Sequence, residues 1–382
     1  MPETILRGMT WGHRRAIDPL RDAASRFTAE HPELAVEWHV RSLSAFEHQP
    51  FAEAIDGFDL IVFDHPHTGQ IARERLLEPL DHFVADGDGA LSPQNYIGPS
   101  LASYQYDGVV WGAPIDGATI NAVYRDDLLR SVSDDVPTSW EDVIRLGEKT
   151  TSGGPRVLIA AHGHHALLTV FSLAANLGSQ WRENEPIDRD VLAEAIDLFF
   201  RALYVSDWKA SLASQAIQVH DLLHETDDYS YSPAAYGYAT YGEGARGLAF
   251  GPFPGPNGAG GTILGGAGVG ISAASTKKVE AARFVRDLTL AESQLRFVEH
   301  SGQPARVEAW DDESADRRMN GFFSQTRSTM EDSVIRPRFA GYVETETRLA
   351  HLLHRGLGGA ISRRALVEEL TAEMANRLVK KD

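Results

Sequence analysis

The chain has 382 residues, 43% hydrophobic and 24% charged, with a formal net charge of -18 and no cysteine. That length supplies two or three cores, while the acidic balance and lack of any polybasic run argue against nucleic acid or an anionic membrane as partner. Without cysteine, no disulfide, thiolate metal site, cysteine nucleophile or lipidated cysteine anchor is expected.

The opening residues, Met1 to Gly8, show neither a basic segment nor an apolar export core. Ile5–Thr10 reads as a strand. Asp18-Pro19 then reads as the cap and first residue of a helix that turns Leu20, Ala24 and Phe27 to one side. Val36, Trp38 and Val40 alternate with polar neighbours, the period of a half-buried strand. Phe58–Asp64 is a short continuous apolar run, as expected for a parallel strand covered on both faces, and Pro66 opens the next helix. This βαβαβ order predicts an α/β protein with an open, mostly parallel sheet.

Further on, Trp111–Ile115 and Thr119–Tyr124 read as two extended runs flanking Asp116-Gly117. Ser139 and Asp142 occupy capping-box positions for a helix over 139–149. Val157–Ala161 is expected as a strand and His165–Leu177 as a helix, followed by a buried stripe of Leu192, Ile196, Phe199 and Leu203. Gly251–Gly261 reads as loop, Thr262–Ser272 as a glycine-rich strand and Val279–Leu288 as a helix. The tail is helical over Tyr342–Leu353 and again after Ser362, with Leu366, Leu370, Met374 and Leu378 facing inward.

Polar residues gather at the ends of the early strands: Trp11-Gly12-His13-Arg14, Arg41-Ser42 and Asp64-His65-Pro66-His67. In open α/β sheets the carboxyl ends of strands line the ligand crevice. An indole face suits the C–H side of a sugar ring, while Asp, His and Arg reach its hydroxyls. The competing reading makes Trp11 a core residue and the histidines surface caps. A second gathering, Tyr229–Tyr241, holds five tyrosines among small residues and reads as a half-buried loop; Tyr236 and Tyr238 straddle a glycine that would let a ligand approach. The third, Leu264–Gly270, has glycines at 265, 266, 268 and 270, which do not match a dinucleotide fingerprint. Those glycines serve either ligand-facing amides or close strand packing.

Weaker signals are His162-Gly163-His164-His165 and the pair His220 and His224. The pair has the spacing of a zinc protease, but Asp221 stands where the general-base glutamate belongs. Both histidines are expected as solvated residues of an exposed helix, and no metal or other cofactor is expected. No nucleophile elbow or phosphate loop is present.

Taken in order, the segments Thr10–Arg14, Phe58–His67, Trp111–Gly117, Tyr124–Leu129, Ser139–Asp142, Tyr236–Tyr238, Leu264–Gly268 and Ser301–Arg306 resemble the extracellular solute-binding proteins, group 1, of carbohydrate ABC transporters. The resemblance implies the type II periplasmic-binding fold. It places one lobe at about 1–115 and 262–308, the other at about 119–258 and 312–382, with crossings at 115–119, 258–262 and 308–312. It also implies a ligand cleft between the lobes that closes by hinge motion. The matching positions Trp11, His13, Arg14, Arg41, Asp64, His65, His67, Asp116, Gly117, Tyr236, Tyr238, Gly265, Gly266, Gly302 and Gln303 would contact a small carbohydrate or polyol, and Trp310 would lie near the last crossing.

On this reading the protein is a monomeric binder, not an enzyme, whose partners are the membrane subunits of an importer. It would work in the periplasm or outside the cell, although the sequence shows neither an export signal nor a lipid-anchor cysteine. Two alternatives stand beside it. One is a glycoside-active enzyme using Asp64 and Asp116 as acid and base; the other is an intracellular sugar-sensing module. Trp11→Ala is expected to weaken ligand binding with little effect on the fold.

Overall fold

A computed structural model describes residues 2–41, 51–82, 90–133, 135–183, 185–256 and 258–376. Ser42 and Leu378, singled out above, lie outside the described residues. The main strands are Thr4–Trp11 (β1), Leu34–Arg41 (β2), Leu60–Phe63 (β3), Ala113–Tyr124 (β4), Arg156–Val157 (β5), Tyr229–Tyr236 (β6), Ala249–Gly251 (β7) and Leu264–Ile271 (β8). The chain divides into two compact units. Unit 1 comprises 1–117, 265–315 and 338–342; unit 2 comprises 118–264, 316–337 and 343–382.

In unit 1 the sheet runs β2-β1-β3-β8 and then the first half of β4. β1 pairs in parallel with β2 and β3, and β8 runs antiparallel to β3. The apolar run is legible in this arrangement. Leu60 and Val62 join one buried cluster, while Ile61 and Phe63 join another on the opposite face. A strand with apolar side chains on both faces must be covered on both, which is why alternation is missing there.

The first helix, Arg14–Glu30 (α1), buries Ile17, Leu20, Ala24 and Phe27. It starts earlier than expected, since Asp18-Pro19 is not its beginning: His13 is the cap, and its Nδ1 accepts from the Arg15 amide at 3.1 Å. Pro19 therefore sits inside the helix, where it removes one backbone donor but packs, buried, with the apolar face. A cap supplied by a histidine ring gives no Ser/Thr/Asp signal, and the Asp-Pro pair is the stronger lure.

Asp59, just before β3, ties this unit together. Its carboxylate accepts from the Arg7 amide (2.9 Å), the Ser275 hydroxyl (2.6 Å) and the Lys277 ammonium (3.2 Å). Burial alone would raise its pKa, but these donors outweigh it and hold the carboxyl below its ordinary value. A carboxyl depressed in the folded state stabilises the fold above the unfolded-state pKa and loses that contribution as pH falls through the folded one. Asp59→Asn is accordingly expected to flatten the acid limb of a urea-midpoint profile measured against pH. A profile as steep as that of the parent chain would show that Asp59 is not what titrates.

In unit 2 the second half of β4 runs antiparallel to β6 and to β7, and β5 joins β6 in parallel. The sheets are thus mixed. Trp111–Ile115 and Thr119–Tyr124 are not separate runs but lie mostly in the single strand β4, which Asp116-Gly117 does not interrupt. The expected strand at Val157–Ala161 is paired only at Arg156–Val157. The glycine-rich stretch after 250 contains paired residues at Pro254-Gly255 and Gly258-Ala259 rather than being wholly loop.

The tyrosine segment also differs from expectation. Tyr229–Tyr236 is a strand, not a half-buried loop, and all of it but Tyr236 is buried. Tyr231 is fully buried and Tyr229 is 6% exposed; aromatic rings suit a strand packed on both faces. Trp140–Thr150 (α2) begins with the expected capping box between Ser139 and Asp142. His164–Asn176 (α3) and Arg189–Val205 (α4) follow, the latter burying Leu192, Ile196, Phe199 and Leu203. The Trp140 indole N–H donates to the Leu198 carbonyl at 2.9 Å, locking α2 to α4. Ala216–Glu225 (α5) precedes β6, and the tail helices are Tyr342–Leu357 and Arg363–Asn376.

Candidate functional site

In unit 1 the strand ends bring several polar groups together. β1 stops at Trp11, which pairs in register with Arg41, and the Gly12 amide donates to the Arg41 carbonyl at 2.8 Å. Trp11 is 6% exposed and belongs to the main core cluster of the unit. Its replacement by alanine would therefore touch the fold as well as any ligand contact. Arg41 is half-buried, with Nη1 3.3 Å from the Met9 sulfur, and burial pulls its pKa below the ordinary value.

Arg14 at the start of α1 is exposed, whereas Arg15 turns inward and is buried. Its guanidinium grips Asp116 from two sides: Nε donates to Oδ2 at 2.7 Å and Nη2 to Oδ1. Burial raises the Asp116 pKa; Arg15 pulls against that rise and the charge of Asp64 adds to it. Asp64 follows β3, partly exposed, with Oδ1 3.1 Å from Nδ1 of the fully buried His65. His67 is also buried, its ring 5.1 Å from that of Phe51.

Backbone positions here are equally constrained. Gly117 donates its N–H to the Gln303 carbonyl (3.0 Å) and accepts from Gln303 Nε2 (2.7 Å). Gln303 thus fixes the Gly117 peptide from both sides. Gly266 has φ +101°, and a Cβ there would sit 2.2 Å from the Asp116 carbonyl oxygen. Gly265 precedes it, half-buried. At Gly302 a Cβ would fall 2.7 Å from that of Phe297, so packing accounts for that glycine. The Trp310 indole N–H donates to the Pro304 carbonyl at 2.8 Å.

Unit 2 has its own gathering. Tyr236, at the end of β6, stands opposite Ile120, and its ring lies edge-on to His165 with centroids 6.1 Å apart. His165 stacks on His164 at 4.5 Å. The Gly237 amide donates to the Thr119 carbonyl at 3.0 Å, and a Cβ at Gly237 would meet the Phe322 ring at 2.7 Å. Close packing explains that glycine without a ligand. Tyr238 is 8% exposed, edge-on to His220 at 5.6 Å.

His220 itself corrects an expectation: it is not a solvated residue of an exposed helix. It is fully buried on α5, with Nδ1 2.7 Å from the Ala216 carbonyl and its ring among Tyr238, Tyr241 and Phe250. Among the described residues no group of three or more His, Asp or Glu is placed to hold a metal ion.

Arg15, Asp64, His65, Asp116, Gly117, Gly266 and Gln303 therefore meet in unit 1, and Tyr236 meets His165 in unit 2. Sequence reasoning passes over Arg15 and finds His165 only within a weak histidine cluster. The second residue of a capped helix faces inward or outward depending on where the cap lies, and the histidine cap at position 13 hides that register.

Two compact α/β units assembled from discontinuous segments, with polar groups fixed at strand ends, define a two-lobe fold of the periplasmic-binding class. Residues 14–295 match the family described as bacterial extracellular solute-binding protein, and the chain belongs to that family. Solved structures agree on the fold. Maltose-bound MalE3 of T. maritima superposes with a TM-score of 0.83 at 17% identity, over 98% of this chain and 99% of that one. The GacH receptor of Streptomyces glaucescens, solved unliganded and with acarbose, gives 0.83 at 16% identity over 100% of both chains. A solute-binding protein of Agrobacterium radiobacter in complex with ribitol gives 0.81 at 17% identity, over 98% of this chain and 100% of that one. No curated protein sequence matches.

Proposed function

We propose that the chain is the ligand-capturing component of a carbohydrate ABC importer, binding a small sugar or polyol outside the cytoplasmic membrane as a monomer and passing it to membrane subunits. The observation that carries this reading is the gathering in unit 1. There, Asp64 at the end of β3 and the Asp116–Gly117 backbone within β4 lie among groups whose orientation is already fixed by Arg15, Gln303 and Gly266. Pre-oriented acceptors of this kind discriminate hydroxyl patterns, because a missing ligand hydroxyl leaves a buried polar group unsatisfied. Solved relatives of the same fold carry maltose, acarbose and ribitol.

Support for binding over glycoside hydrolysis comes from Asp116. A carboxylate held by two guanidinium bonds is a poor proton shuttle, since moving a proton through it would break the pair. A thermal-shift screen with maltose, acarbose, ribitol, D-tagatose and D-mannitol tests the proposal. A ligand present at a hundredfold excess over its Kd adds about 2.7 kcal/mol to stability, a clear rise in melting temperature, and reducing-end assays on aryl glycosides should stay flat. A flat screen with a non-carbohydrate found bound by native mass spectrometry would refute the reading. Turnover abolished by Asp64→Asn would replace it with the hydrolytic one.

A further inference from the structure

In the unit 1 gathering, Asp116 is fixed by Arg15, Gly117 by Gln303 and Gly266 by its approach to Asp116. Asp64 and His65 stand where the sheet gives out. β3 pairs with β8 from Leu60–Ile271 as far as Phe63–Gly268, so Asp64 begins where that ladder stops. Beyond this pair the two strand ends carry Asp64-His65 on one side and Gly265-Gly266 on the other.

Tyr104 spans that gap. Its hydroxyl lies 3.3 Å from the Phe63 carbonyl and 3.3 Å from the Gly266 carbonyl, and the side chain is 2% exposed. The ring is wedged in place. It meets Phe63 edge-on at 5.3 Å and His65 edge-on at 6.3 Å. A Cβ at Gly112 or Gly268 would come within 3.0 Å or 2.7 Å of it. Two glycines thus make room for one tyrosine whose hydroxyl addresses the residue before Asp64 and the glycine that abuts Asp116.

We propose that Tyr104 is a positioning residue for ligand capture: its hydroxyl holds the end of β3, and with it Asp64 and His65, at a fixed distance from Gly266 and Asp116. It does not touch the ligand. One proton shared between two carbonyls ties together strand ends that the ladder no longer joins, where a phenylalanine would fill the same space without the tie. The inference rests on the binding reading above for its functional consequence, but not for its structural content.

Tyr104→Phe separates the two. Amide exchange followed by mass spectrometry on the ligand-free chain is expected to quicken about tenfold in peptides covering 64–67 and 265–267, with β1 and β2 unchanged, as for a loss of about 1.4 kcal/mol confined to that junction. Exchange unchanged at both junction peptides, or raised equally across unit 1, overturns the proposal; the latter would mark Tyr104 as a general packing residue. Because exchange is measured without ligand, failure of the carbohydrate reading leaves this result intact. With ribitol and maltose as probes, any ligand that shifts the parent chain should bind Tyr104→Phe about tenfold more weakly. Unchanged affinity alongside quickened exchange overturns the functional half alone.

Discussion

Arg15→Ala is expected to cost about 3–5 kcal/mol of folding free energy, read as a fall in the urea midpoint, because it strands a carboxylate that burial already disfavours. Asp116 is 6% exposed and its two oxygens are occupied by Nε and Nη2 of Arg15. Removing the guanidinium leaves Asp116 two options, to stay charged without a partner or to take up a proton. The second becomes easier in acid. An acid group whose folded pKa lies above its unfolded value favours the fold more as pH falls, so the deficit of Arg15→Ala should shrink from neutral towards mildly acidic pH. The control is Arg15→Met with Asp116→Leu. Replacing both partners by apolar side chains of similar size removes the need for compensation and should recover most of the loss. If the double substitution is as unstable as the single one, the pair is not acting as a unit and the destabilisation belongs to the packing of the Arg15 side chain itself.

The contrast between Arg15 and Asp64 shows what patterns in the chain can convey. Short-range signals are readable: the Phe58–Asp64 run, whose strand is Leu60–Phe63, the Ser139–Asp142 box and the 192–203 stripe all reflect interactions within one element, and each appears in the fold. The α/β class follows from them, and the resemblance in ordered motifs agrees with the family match. What cannot be read depends on contacts distant in sequence. Arg15 meets a residue 101 positions away, and nothing in Arg14-Arg15 says which of the two turns inward. Tyr229–Tyr236 reads as a loop because its tyrosines stand among small residues, yet it is a strand in which every residue but Tyr236 is buried. His220 reads as solvated because its own helix is partly polar; the aromatic rings that enclose it come from 238, 241 and 250. The glycine at 237 reads as an opening for a ligand, but the Phe322 ring fills the space beside it.

Gly266 is the glycine for which geometry makes the strongest demand. Its φ of +101° is a conformation L side chains rarely adopt, and a methyl group there would lie 2.2 Å from the Asp116 carbonyl oxygen and 3.1 Å from the Gly117 Cα. Backbone is on the receiving side, so no rotamer change relieves the overlap. Gly266→Ala is therefore expected to lose about 2–5 kcal/mol, combining backbone strain with overpacking. Gly108→Ala isolates the first of these, since Gly108 has φ +79° but nothing within 4 Å of where a methyl group would sit; it should cost about 1–2 kcal/mol. The difference between the two substitutions measures how tightly β8 is pressed against Asp116-Gly117. Ligand affinity supplies the second reading. Pushing β8 away displaces the Asp116–Gly117 backbone, so any carbohydrate bound through that backbone should bind Gly266→Ala more weakly even under conditions where the variant is fully folded, whereas Gly108→Ala should bind it normally. Equal stability losses at the two positions would mean that the close approach contributes nothing, and that β8 moves aside without effort.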